Sequence, residues 1–221
     1  MNFSINLWVL LAIVLVLGGC DTSINSSIVV PDGESRSAPL MSVNGSVSIG
    51  KNCKIEAASR SVNGSIKVGD RSRVEDLTTV NGLIRTGDGV NVDGNIESAN
   101  GSVELGTGSK VSGTITTANG SVELNQAVVH HDVQTVNGNI ELRDKSVVKG
   151  DIVISDNMGI STRKRPIEIE VSGGSIIKGD IVVKRDIDVR LILSNGGKVL
   201  GQVEGVEVID QNVDQPAKDG H

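Results

Sequence analysis

From about residue 41 onward, apolar and polar side chains alternate in short bursts separated by glycine-rich corners. Val103 and Leu105 flank Glu104, and Val122 and Leu124 flank Glu123. A period of two predicts β-strand. A second short alternating piece follows each burst, as in Val111-Ser112-Gly113-Thr114-Ile115, and a Ser/Thr-Val/Ala pair then leads into Asn-Gly. No helical period is sustained in this region.

The bursts belong to a repeat. Six Asn-Gly pairs recur at equivalent places: Asn44-Gly45, Asn63-Gly64, Asn81-Gly82, Asn100-Gly101, Asn119-Gly120 and Asn137-Gly138. Their glycines are spaced by 19, 18, 19, 19 and 18 residues. Asn-Gly is a hairpin signal, but a meander needs a turn after every strand, and here the intervening corners are unlike one another. Parallel stacking explains both features. One repeat is one coil, and each residue lies about 4.8 Å from its counterpart in the next. Stacked asparagines can then bond along the axis. Asn and Gly are expected to take positive φ at the shared corner, so Gly101→Val is expected to cost about 1–3 kcal/mol. The left-handed hexapeptide solenoid fails, because the inward positions Val103, Leu105, Val111, Ile115 and Ala118 are not sixfold. The predicted fold is all-β: a single-stranded, right-handed parallel β-helix (a β-solenoid) with coils of about 18–19 residues.

Beyond residue 143 the spacing widens. Val147-Val148-Lys149-Gly150-Asp151-Ile152, Ile176-Ile177-Lys178-Gly179-Asp180-Ile181 and Val199-Leu200-Gly201-Gln202-Val203 are 29 and 22 residues apart. They read as wider coils, with a loop over 156–166. The solenoid is expected over 41–209, as eight or nine coils and a rod roughly 40 Å long. A disordered tail is expected over 210–221.

Composition narrows the functions. Phe3 and Trp8 are the aromatic residues of the whole chain, and tyrosine is absent. Single-stranded nucleic-acid binding lacks its stacking platforms. Sugar clefts and ammonium cages lack their rings. A net charge of −6 gives no general polyanion-binding surface, so no nucleic-acid partner is expected.

Leu7 to Leu17 is apolar but too short to span a bilayer, and fits a secretory h-region. Leu17-Gly18-Gly19-Cys20 resembles the lipobox of bacterial lipoproteins. That resemblance implies a signal peptide over 1–19, lipidation (palmitate among the acyl chains) of Cys20, and attachment to the inner or outer membrane facing the periplasm. Residues 20–40, with Pro31, Gly33 and Pro39, read as the lipidated cysteine and a flexible tether. Cys53 then has no disulfide partner and is expected to be a small buried side chain.

The Asn-Gly units and the Lys-Gly-Asp-Ile pieces resemble the repeats of two bacterial groups. One is the polymer-forming bactofilin family, a right-handed β-helix that assembles end to end without nucleotide. The other is an adhesin-like family of short β-strand repeats. Neither resemblance implies a catalytic site or a cofactor.

Three features invite a site. His130-His131-Asp132 sits at a corner, where adjacent side chains point apart, so no metal site is expected. Arg163-Lys164-Arg165 lies in the long loop and reads as a solvated charge run. Glu104, Glu123 and Glu141 share one position of the repeat, held in earlier coils by Ser48, Lys67 and Arg85, giving a basic-then-acidic stripe. The expected function is a non-enzymatic, lipid-anchored envelope scaffold or interaction module. It would bind an envelope protein or a further copy of itself end to end. An adhesin-like binding protein is the alternative, and a polysaccharide-active β-helix enzyme a more distant one.

Overall fold

The structure, a computed structural model, describes residues 21–156 and 165–212. The chain forms an all-β solenoid of about ten turns. Three parallel sheets of nine, ten and nine strands make its sides, here called A, B and C. Each coil contributes one short strand to each sheet in turn. The third coil, for example, supplies Ser59–Ser61 to A, Ile66–Val68 to B and Arg73–Val74 to C.

The apolar positions of the repeat become continuous columns. In sheet B, Ile66, Ile84, Val103, Val122, Ile140 and Ile169 stand in register and are all fully buried. Ile96, Ile115, Val133 and Ile152 do the same in sheet A. The third column is Val74, Val92, Val111, Val129 and Val148 in sheet C. The cross-section between three short strands admits side chains of Val, Ile and Leu size. β-branched residues suit the extended backbone and pack on the same residue one coil away. A core without aromatic rings follows from this geometry.

The solenoid begins earlier than 41. Strands Asp21–Ser23, Ile28–Val30 and Ser35–Arg36 form a first coil paired in register with the second. The expected tether is therefore corrected: residues 21–40 are built into the rod. Its sequence is a degenerate repeat, Ile24-Asn25-Ser26-Ser27-Ile28, with serine in place of the repeat glycine. The reason is steric. A Cβ at Gly45 would lie 2.3 Å from the Ser26 carbonyl oxygen, while the first coil stacks on the second alone among the described residues. At the far end, strand Glu207–Asp210 extends sheet B into the segment expected as tail, and 213–221 lie outside the described residues. Of the loop expected over 156–166, residues 157–164, with Arg163 and Lys164, also lie outside them.

The two ends differ. Arg36 occupies the inward column of sheet C one coil before Ile55, and its guanidinium pairs with Glu34 at 2.7 Å. A polar pair thus stands where the core would otherwise continue. At the other end, Val208 stands in register with the buried Leu191 yet is 51% exposed, and Leu200 is 63% exposed.

Candidate interaction surfaces

The Asn-Gly corners stack into one edge of the rod. The side-chain amide of each asparagine donates from Nδ2 to Oδ1 of its counterpart in the preceding coil. The distances from Asn44 to Asn137 are 2.7, 2.8, 2.9, 3.0, 2.8 and 2.8 Å, and Asn25 accepts the first of these bonds. At the C-terminal end the last amide oxygen is taken up by Arg185, whose Nη2 donates to Asn137 Oδ1 at 2.9 Å and also to the Val136 carbonyl. Each bond is directional and polarises the next, so the ladder fixes the vertical register of neighbouring coils.

The glycines of these corners serve a purpose other than the one expected. None of Gly45, Gly64, Gly82, Gly101, Gly120 or Gly138 has positive φ. A Cβ added at any of them would instead lie 1.8–2.3 Å from the backbone oxygen of the corner one coil earlier. Glycine is required for close stacking of backbone on backbone. Left-handed residues concentrate at the turn from sheet B to sheet C, as in Asn52, Arg71, Gly89, Gly108, Gln126, Lys145 and Gly174, while of the ladder asparagines from Asn25 to Asn137, Asn25 alone is left-handed, with a φ of +64°. Five residue types fill that column, because stacked coils above and below hold each one in place.

The turn from C to A explains the Gly-Asp pieces. Oδ1 of Asp132 accepts the Asp151 amide at 2.9 Å, Asp151 accepts that of Asp180 at 2.8 Å, and Asp180 accepts that of Gln202 at 2.7 Å. Gly150 and Gly179 leave room for these carboxylates, whose oxygens would lie 2.3 Å from an added Cβ. Cys53 belongs to the interior as well. It is 3% exposed, and its thiol donates to the Pro31 carbonyl as the Ser72 hydroxyl donates to that of Gly50 one coil on. Cys20 lies outside the described residues.

The outer face of sheet B carries the charged stripe. Ser48, Lys67, Arg85, Glu104, Glu123 and Glu141 are successive register partners, and the column continues to Glu170. Arg85 pairs with Glu104 at 2.5 Å, and Arg143 pairs with Glu141. Half-exposed pairs of this kind contribute little to stability. Burial between neighbouring strands pushes the Glu141 carboxyl above its usual range. Arg143 opposes that shift and Glu170 adds to it.

The raised Glu141 has a consequence for stability. The folded chain holds this proton more tightly than the unfolded one. The charged carboxylate therefore subtracts stability at neutral pH, and that loss is relieved as pH falls through the folded-state pKa. Glu141→Gln is expected to melt at or above the parent's temperature at pH 7. The difference should shrink on acidification towards pH 4, read as two thermal scans.

His130 and His131 are both exposed past strand Val128–Val129. Slight burial and the charges of Lys149, His131 and Lys110 hold the His130 imidazole below its usual range. Among the described residues no group of His, Cys, Asp and Glu side chains is arranged to hold a metal ion. Comparison with protein-family models, curated proteins and solved structures returned no match to this chain.

Proposed function

We propose that the protein is a non-enzymatic scaffold or interaction module of a bacterial envelope, held at a membrane through lipid on Cys20. The observation that supports it most is the unbroken rod. About ten turns share three continuous sheets, and their outer residues present ladders of repeated chemistry to a partner. Such a surface suits the recognition of another regular structure. The first strand, Asp21–Ser23, starts immediately after Cys20. An anchored rod would then stand directly on the lipid, with its first coil at the membrane and its last coil outermost. The exposed Val208 and Leu200 of the outermost coils would be the docking end for an envelope protein or for a second copy stacked end to end.

The lipobox resemblance is tested first. Cells expressing the full chain and fed radiolabelled palmitate should incorporate label and hold the protein in the membrane fraction. Cys20→Ser should remove the label and release the protein. Label that persists in the Cys20→Ser protein would overturn the anchor.

A further inference from the structure

Two lateral faces of the rod carry opposite charge at the same coil levels. On sheet C, Val128, Val147 and Ile176 are register partners and form a half-exposed apolar ridge over three coils. One residue beyond each strand stand His130, Lys149 and Lys178, all exposed, each bonded by its backbone amide to the preceding coil. Lys110 and Lys198 continue the ridge column on either side. No acid falls in either column over these five coils. The chain as a whole is acidic, at −6, so this basic face runs against the overall balance.

Sheet B shows the reverse over the same coils. Glu123, Glu141 and Glu170 stack there in consecutive register. Each lies in the same coil as one of His130, Lys149 and Lys178. On one side of Glu104 and Glu123 stand Ser102 and Ser121, whose hydroxyls bond to each other at 3.0 Å, and on the other Gly106 and Asn125, while Arg85 and Arg143 pair with Glu104 and Glu141. The glutamates of this column are half-buried. Like charges repeated about 4.8 Å apart repel, so each column gains from a partner of opposite charge with the same spacing. The structure that offers this spacing in both charges is the rod itself.

We propose that sheet C of one copy docks side by side, in parallel, on the acidic column of sheet B of a second copy. Equal coil rise on the two faces brings Lys149 and Lys178 onto the glutamate ladder; the touching strands of two parallel rods run in opposite directions, so the Val128–Val147–Ile176 ridge lies over the side of Asn125 and Arg143. The two faces differ, so the contact is heterologous and repeats into a lateral row. The patch is about 20 Å long, small for a stable pair. Association is weak, depends on concentration and is screened by salt. The proposal does not depend on lipidation, although rods standing on one membrane would already be parallel and level.

The test is carbodiimide crosslinking of the purified full chain in nonionic detergent, since this reagent joins lysine and carboxylate groups that touch. At low salt the parent should give dimers and higher species, falling at least tenfold in 0.5 M salt. Lys149→Gln/Lys178→Gln and Glu123→Gln/Glu170→Gln, both with the parent's melting temperature, should each stay monomeric alone. An equimolar mixture should regain the dimer and stop there, because each variant keeps one working face. Both variants leave the ends of the rod intact, so end-to-end stacking would survive in each of them alone. A parent that stays monomeric at low salt, or variants that crosslink as the parent does, would overturn the proposal. So would a parent that forms no dimer but binds phosphatidylglycerol vesicles through Lys149 and Lys178, which would make sheet C a membrane face.

Discussion

Gly101→Ala is expected to lower stability by about 3 kcal/mol or more, beyond the 1–3 kcal/mol of an ordinary left-handed strain. The added Cβ would lie 1.8 Å from the Gly82 carbonyl oxygen and 2.5 Å from its carbonyl carbon. Both obstacles are backbone, so no side-chain rotation relieves them. The corner has to move outward, and Asn100, which donates to Asn81 and accepts from Asn119, moves with it. The contrasting substitution is Gly108→Ala at the other corner. Gly108 has a φ of +73° and nothing nearer to its Cβ than 4.0 Å. Its cost is the intrinsic one of a left-handed alanine, about 1 kcal/mol. Thermal melting of the two variants decides between the explanations. If φ governed the repeat corner, Gly101→Ala would be the milder change.

These two glycines also show how far the sequence is legible. The period of 18–19, the alternation within it and the stacking of asparagines are all visible as repeated letters, because equivalent positions face equivalent neighbours. The reason for the repeated glycine is not visible. A glycine required by φ and one required by backbone contact look alike in a sequence, and the two corners differ only in three dimensions. The left-handed column from Asn52 to Gly174 is hidden because five residue types fill it. The first coil escapes notice for a related reason. With no described coil before it, Ser26 replaces glycine and the Asn-Gly signal is lost, although Asn25 still begins the ladder. Arg185 could not be placed on that ladder from sequence, since 48 residues separate it from Asn137. The charged stripe was legible on sheet B because it lies within the regular repeat. Its basic counterpart on sheet C was missed, because there the lysines follow corners of unequal length.

Ile115→Ala, in the middle of the rod, is expected to cost about 2–5 kcal/mol. Ile115 has no exposed surface and stands in register between Ile96 and Val133. Truncation leaves a cavity that the ladders above and below cannot close, because each neighbouring coil is fixed by its own hydrogen bonds to the next. The more informative effect is on cooperativity. In a solenoid each coil contacts only its neighbours, so stability is a chain of coil and interface terms. A weakened sixth coil weakens its interfaces on both sides, and the two halves begin to open separately. Amide hydrogen exchange should show this as faster exchange centred on Ile115–Thr117. Protection should stay closer to the parent's around Ile66–Val68 and Ile167–Val171, several coils away on either side. Ile209→Ala, at a terminal strand where the side chain is already 37% exposed, should change neither melting nor exchange in the middle of the rod. Uniformly faster exchange in Ile115→Ala would mean that the ten coils open as one unit. The nearest-neighbour description would then be wrong for this rod.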